Sequence, residues 1–324
     1  MTAGKDKVTV MKRFVNTAEL SKEEWLRYRK QGITGTDAAS ICGMNPYSSA
    51  FKVYMDKTSD DIEDIDNEAM RQGRDLEEYV ARRFMEETGL KVRRANAIFQ
   101  SEDHPVMLAD FDRIITGMPD GSRAGLECKT VSPYSSDKWK DGAIPEHYQL
   151  QVQHYLAVSG FDCWFIAALI FGNKFLIRKI ERDEELISNL ITIEERFWNE
   201  NIVAGIMPEP DGTDSYSEII SKMYFNADKN KVVTLDGCNG ILERRQEIDS
   251  IIKKLEKEKN AIDQSVKLKM KDASVGMTEE FKVTWSSFES NRLDSKKLKE
   301  EQPELYDRYC RLSKSRRFTV TSAA

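Results

Sequence analysis

The residues best placed to do chemistry lie in two short segments, Leu108-Ala-Asp-Phe-Asp112 and Leu126-Glu-Cys-Lys129. Alternate residues of a strand share a face, so a strand over Gly125 to Val131 projects Glu127 and Lys129 together. Two acids compete to complete the group. Asp120, in Pro119-Asp-Gly121, lies in a turn signal. The strand between it and Glu127 spans roughly 23 Å at about 3.3 Å per residue, too far to share one ligand. Folding the chain about Pro119-Asp120 instead brings Asp112 opposite Glu127. These two carboxylates suit Mg²⁺, which binds through one or two carboxylates plus water and phosphate. Such an ion activates water and offsets charge on a pentavalent phosphorus. Lys129 then positions or deprotonates the water, or stabilises the transition state. A Glu-x-Lys tripeptide alone is common on surface strands and signifies little.

Two polar residues on otherwise apolar helix faces add weight. Glu77 shares a face with Gly73, Leu76, Val80 and Phe84, where a carboxylate is costly without a metal, a water or a cation beside it. Gln151 shares a face with Tyr148, Val152 and Tyr155. The carboxylate hairpin lies between them in sequence, which points to one polar centre. Glu77 would be its third acid, and Gln151 would orient water or phosphate. His104, His147 and His154 lack metal-ligand spacing and read as structural, with His154 a weaker candidate for lining the site.

The elements that must position these groups are legible from caps and periodicity. Ser21-Lys-Glu-Glu24 is a capping box that starts a helix to about Lys30. Thr34-Gly-Thr-Asp37 opens a short helix that stops at Gly43, and Ser48 or Ser49 caps another through Tyr54. Residues 57–67 are acidic and read as a loop; Asn67 to Gly89 reads as a helix. Strands are expected over Val92–Gln100, Val106–Ile115 and Gly125–Val131, then a helix from about Pro145 to Val158. Cys163–Phe171 and Lys174–Ile180 form a hairpin around Gly172-Asn173, and Arg182 to about Ala204 is an amphipathic helix. The expected class is α/β, a central mixed sheet flanked by helices.

The expected divisions are a core over 1–206, a connector over 207–230 and a helical extension with short strands over 231–324. In the extension Ile241, Ile248, Leu255 and Ile262 recur every seven residues, yet Arg244 and Glu258 interrupt the second row. A docked helix or helical hairpin fits better than a long coiled coil. Phe281–Phe288 and Arg317–Val320 read as strands around a segment, Arg292 to Arg317, with nine basic residues against five acidic ones. That excess suits either contact with DNA or a partner, or a solvated helix face.

The 324 residues are 40% hydrophobic and 32% charged, and the formal charge is −6. That balance speaks against a protein that coats nucleic acid, so any DNA path must be lined by local basic patches. No apolar run approaches the ~20 residues of a membrane helix, and the opening MTAGKDKVTV has no hydrophobic segment of a signal peptide. The five scattered cysteines form no C-x-x-C pair, which argues against zinc and iron–sulfur sites and for a reducing cytoplasm.

The order Gly73-x-x-x-Glu77, Asp112, Glu127-x-Lys129 and Gln151-x-x-x-Tyr155 resembles the nuclease module of RecB-like enzymes and the PD-(D/E)XK superfamily. Pro119-Asp120 also matches the letters of a PD…ExK pattern, but the hairpin geometry sets it aside. Arg29-Lys-Gln-Gly-Ile-Thr-Gly-Thr-Asp-Ala-Ala39, with Gly43 and Pro46-Tyr47, is similar to the YqaJ viral recombinases, the group that includes phage lambda-type exonuclease. The resemblance covers about residues 20–200. It implies a restriction-endonuclease-like core and a Mg²⁺-dependent 5′-to-3′ exonuclease acting on linear double-stranded DNA, with Mn²⁺ able to substitute. It also implies preference for a 5′ phosphate, a single-strand annealing partner of RecT-like type, and a homo-oligomer, a ring-shaped trimer in some relatives.

By position, the resemblance makes Asp112, Glu127 and the backbone carbonyl of Cys128 metal ligands and Lys129 the catalytic lysine. Glu77 and Gln151 become active-site groups, with Tyr155 supporting. Arg29, Thr34 and Thr36 fall where the terminal phosphate binds: arginine grips phosphate bidentately, and a helix N-terminus favours anions. Thr36 stands where lambda-type enzymes have Ser, and Phe111 stands where the motif has Pro. Two other readings compete: a structure-specific endonuclease on the same core, and a non-catalytic module that binds DNA ends or a partner.

Overall fold

The computed structural model describes residues 11–62, 66–172, 174–228, 230–311 and 316–321. The chain forms two compact units, Met1–Lys222 and Met223–Ala324. In the first, chain order begins β1 (Met11–Asn16), α1 (Lys22–Arg29), α2 (Gly35–Ile41), α3 (Ala50–Thr58) and α4 (Glu68–Thr88). Strands β2 (Lys91–Arg94), β3 (Ala97–Ser101), β4 (Leu108–Asp110), β5 (Arg113–Thr116) and β6 (Ala124–Val131) follow. After a 3₁₀ segment over Pro133–Gly142 come α5 (Glu146–Ser159), β7 (Cys163–Ile170), β8 (Lys174–Glu181), α6 (Glu184–Phe197) and α7 (Asp214–Met223).

The expected caps form. Glu24 accepts the Ser21 N–H at 2.8 Å while the Ser21 hydroxyl accepts the Glu24 N–H at 3.2 Å. Ser49 caps α3, and Asn67 caps α4. Each such side chain satisfies an amide that the first helical turn leaves without a partner.

The central sheet runs β2-β5-β6-β7-β8, with β6 and β7 parallel and the other pairs antiparallel. Helix α4 covers one face through Val80, Ala81 and Phe84 against Leu126, Cys163 and Ala167. Helix α5 covers the other through Val152, Tyr155 and Leu156 against Trp164, Ile166 and Ala168. Period-two alternation then turns Glu127 and Lys129 toward the α5 side, because Leu126 faces α4. This is the mixed α/β architecture that the sequence led us to expect.

Two expected strands are corrected. Val92–Gln100 breaks into β2 and β3, which belong to different sheets; Asn96, at φ 48°, turns the chain between them. Val106–Ile115 likewise breaks into β4, which joins the three-stranded sheet β1-β3-β4, and β5, which joins the central sheet. The break falls at Phe111-Asp112. Phe111 is driven into an aromatic core with ring centres 5.0 Å from Phe99, 5.3 Å from Tyr155 and 4.9 Å from Trp164. Hairpin β7–β8 forms as expected, with Asn173 of its turn outside the described residues.

Close backbone approaches occur within the sheet, between β6 and β7, and between helices α2 and α5. A Cβ on Gly125 would lie 2.2 Å from the Trp164 ring, and one on Gly35 would lie 2.6 Å from the Tyr155 ring. The segment 207–230 contains α7, whose Tyr216 stacks on Phe51 at 4.2 Å. The division between the two units falls inside that segment.

The second unit holds α8 (Asn239–Met270), the antiparallel pair β9 (Val275–Met277) and β10 (Lys282–Thr284), and helices α9 (Ser295–Glu301) and α10 (Pro303–Tyr309). The strand expected over Phe281–Phe288 is cut to the residues that pair with β9. Arg317–Val320 is not a strand, since no ladder partner is found for it among the described residues. Residues 312–315 of the basic segment, 63–65 of the acidic loop and the opening 1–10 lie outside the described residues. Among the described residues no helix is long and apolar enough to cross a membrane.

Candidate active site

Strand register places the two acids. Arg113 of β5 pairs with Leu126 of β6, which sets Asp112 level with Glu127 where the β5 ladder ends. The next free amide on that edge, Cys128 N–H, donates to the Asp112 carboxylate at 2.7 Å. A strand residue turns its N–H and C=O to the same side, so the Cys128 carbonyl faces the same edge. Glu127 is only 4% exposed. One of its oxygens accepts from Lys129 Nζ at 2.7 Å and from Gln151 Nε2 at 2.8 Å. The other, Oε2, is buried without a hydrogen-bond partner.

Electrostatics give the same picture. Burial holds Asp112 well above the usual carboxylate range, and the neighbouring Glu127 and Glu77 push it further. Burial also lifts Glu127, with Lys129 pulling it back. Two sequestered carboxylates side by side, one with an orphaned oxygen, suit a divalent cation that would relieve both burdens. The donor set that fits is Asp112, Glu127 and the Cys128 carbonyl. Among the described residues no three His, Cys, Asp or Glu side chains converge on a single point, so main-chain oxygen and water would complete such a shell.

Lys129 and Gln151 lock each other. The Gln151 oxygen accepts from Lys129 Nζ at 3.1 Å, and its amide nitrogen also donates to the Tyr155 hydroxyl at 2.7 Å. Lys129 Nζ stands 4.7 Å from the centre of the Tyr148 ring. Burial works against the lysine's charge, but Glu127, Tyr148 and Asp112 outweigh it and hold the ammonium form.

Glu77 reaches the site from α4 and takes a cation as its partner, pairing closely with the Arg113 guanidinium. Arg113 is 3% exposed, donates to the Asp112 carbonyl at 2.8 Å and also pairs with Glu78 at 3.0 Å. It therefore braces the backbone that presents Asp112. Sequence reasoning missed it, although an arginine inside a buried strand demands an acid, and Glu77 was already an acid seeking a partner.

A second cluster gathers the residues expected at a terminal phosphate. One guanidinium nitrogen of Arg29 donates at 3.2 Å to both the Thr34 and Thr36 hydroxyls. Arg29 lies 3.7 Å from the Asp110 carboxylate and 4.5 Å from the centre of the Trp25 ring. Trp25 Nε1 donates to the same Asp110 oxygen at 2.6 Å. Thr34 is 2% exposed and its hydroxyl donates to Asp37, so it backs the cluster, whereas Arg29 and Thr36 face open space. Lys57, nearly buried, pairs with Asp37 at 2.8 Å and donates to the Arg29 carbonyl at 2.8 Å.

One cavity of about 1350 Å³ joins the two clusters, lined by Arg29, Thr36, Lys57, Glu77, Asp112, Glu127, Cys128 and Lys129 among others. Asp120 is away from it, accepting from the Ser122 N–H and hydroxyl in the β5–β6 turn. His154 is fully buried between Glu194, at 2.9 Å, and the Leu108 carbonyl, at 2.8 Å, and so is structural. His104 pairs with Glu195. His147, in contrast, lines the cavity; burial and the charge of Lys129 push its pKa down to about 4.

Asp112, just ahead of β5, thus stands level with Glu127 in the middle of β6, and Lys129 follows on the same face of that strand. Comparison with known proteins gives the family. Residues 24–162 match the family model of the YqaJ-like viral recombinase domain. The uncharacterized protein YqaJ of Bacillus subtilis (strain 168) is 38% identical over 309 residues, which are 94% of this chain and 95% of the relative. The chain belongs to the YqaJ-like family.

Similar solved structures include LHK-Exo in complex with dAMP, with a TM-score of 0.47 and 20% identity over 62% of this chain and 97% of that one. The alkaline exonuclease LHK-Exo from Laribacter hongkongensis gives 0.45 and 21% over 62% and 100%. A phage related exonuclease from Haemophilus somnus 129PT gives 0.41 and 15% over 56% and 100%.

Proposed function

We propose that the protein is a Mg²⁺-dependent exonuclease that digests one strand of linear double-stranded DNA from its 5′ end. The observation that carries this reading is the buried Glu127, one oxygen held by Lys129 and Gln151 and the other orphaned beside Asp112. When bound by Asp112, Glu127 and the Cys128 carbonyl, the metal supplies Lewis-acid activation of water and of the phosphodiester. Mn²⁺ has the same preference for oxygen donors and is expected to substitute.

The chain's own groups do the rest. Lys129, kept as an ammonium, donates to the oxygens that gain charge as the P–O bond breaks, a stabilisation typically worth about 10²–10³ in rate per donor. Gln151, pinned by Tyr155, fixes where that ammonium points. Arg29 and Thr36 offer a guanidinium and a hydroxyl to a 5′-terminal phosphate in the same cavity. Such a grip would set the end from which digestion proceeds.

The reading extends to a RecT-like annealing protein as recipient of the exposed strand, to a homo-oligomer, a ring trimer, as the assembly, and to the bacterial cytoplasm as the setting. It is tested by incubating the protein and Mg²⁺ with linear duplexes bearing 5′ phosphate or 5′ hydroxyl and with a closed circle. Steady loss of nucleotides from 5′-phosphorylated ends, with the circle intact, is expected. Cutting of the circle would replace this reading with an endonuclease on the same core.

A further inference from the structure

One wall of the cavity is aromatic. Tyr47, Trp139, His147 and Tyr148 all line it. Their rings form a continuous row: Tyr47 meets His147 edge-on at 6.0 Å, His147 meets Tyr148 at 4.0 Å, and Tyr148 meets Trp139 at 5.8 Å. At the inner end Lys129 Nζ sits over Tyr148. At the outer end Tyr47 is 70% exposed. Between them, His147 Nε2 is buried and has no hydrogen-bond partner. Pro46-Tyr47 belongs to the sequence pattern of the N-terminal segment, yet nothing in the cleavage chemistry uses it.

We propose that Tyr47 and His147 form a nucleobase subsite, the Tyr47 ring stacking on a base of the bound strand while His147 Nε2 hydrogen-bonds to the same nucleotide. The proposal rests on the reading of the protein as a DNA nuclease. The occupant follows from continuity: ring contacts run from Tyr47 to the lysine that handles the phosphodiester, so whatever touches Tyr47 adjoins the strand being cut. A base also answers both features at once, a flat π face for the exposed ring and edge or sugar polar atoms for the orphaned nitrogen. Stacking accepts any base, because every base has such a face. That tolerance suits digestion along an arbitrary sequence.

The test uses a 5′-phosphorylated duplex carrying 2-aminopurine in its first or second nucleotide, bound in EDTA and then cut with Mg²⁺, by the wild type, Tyr47→Phe and Tyr47→Ala. The wild type and Tyr47→Phe are expected to quench the probe on binding. Tyr47→Ala is expected to lose the quench and to raise Kd and KM about tenfold, with kcat little changed. Tyr47→Ala binding, quenching and cutting like the wild type would overturn the subsite, as would Tyr47→Phe being impaired as badly as Tyr47→Ala. A wild type that neither binds nor cuts the duplex would instead overturn the nuclease reading.

Discussion

Glu127 has three claims on two oxygens, and its neighbours decide the chemistry. Lys129 and Gln151 share Oε1, while Oε2 is left for a ligand. Replacing Lys129 with Ala should therefore lower kcat by about 10²–10³ or more without unfolding the chain; steady-state cleavage with a thermal melt checks both, and unchanged kcat would remove Lys129 from the mechanism. In the proposed function Arg29 and Thr36 act on which end is chosen. Arg29→Ala should bring the rates on 5′-phosphate and 5′-hydroxyl ends together, while Thr36→Ser should keep them apart because it retains the hydroxyl. The pair Asp112 and Glu127 was legible in sequence, since strand periodicity and one turn fix the register. Arg113 and Lys57 were not. Each is explained by an acid on a distant segment, Glu77 and Asp37, whose approach depends on how α4 and α2 pack.

Helix α5 is the element on which most of the site leans. It carries Gln151 and Tyr155 inward, and α2 presses against it at Gly35. A Cβ there would strike the Tyr155 ring at 2.6 Å and Gln151 Cγ at 3.1 Å. Gly35→Ala is expected to cost about 1–3 kcal/mol by overpacking and to lower kcat through the displaced Gln151; a variant with wild-type melting and wild-type kcat would show that the contact relaxes freely.

On the same helix His154 joins α6 through Glu194. Burial opposes the imidazolium, but Glu194 outweighs it, so His154 lies above the ordinary 6.5; burial lifts Glu194 above 4.5. Both shifts mean that the folded state binds protons more tightly than the unfolded chain. The His154 contribution is thus full below pH 6.5 and fades as pH rises through the higher folded value. Urea midpoints should fall more steeply above pH 6.5 for the wild type than for Glu194→Gln, and parallel slopes would contradict the assignment. Helices and their caps were readable from sequence because they are local. The strand breaks at Asn96 and Phe111 were not, because each marks a change of sheet that only the packed core dictates.

A chain of formal charge −6 must concentrate its basic groups to hold DNA, and the cavity does so. Among the described residues that line it are eight Lys and Arg against five Asp and Glu, so the local balance is positive although the whole is negative. Of those acids, Asp112 and Glu127 are the pair a cation would neutralise, while Asp37 is matched by Lys57 and Glu77 by Arg113. All the residues assigned to cleavage and to the terminal phosphate lie in the first unit, Met1–Lys222. The central claim is that Asp112 and Glu127 hold a divalent ion that cuts DNA, and nucleotide release from a 5′-phosphorylated linear duplex measures it directly. Wild-type protein should release nucleotides with Mg²⁺ and stop with EDTA, while Glu127→Gln, similar in shape but uncharged, should release none. Undiminished release in EDTA, or by Glu127→Gln in Mg²⁺, would contradict the account.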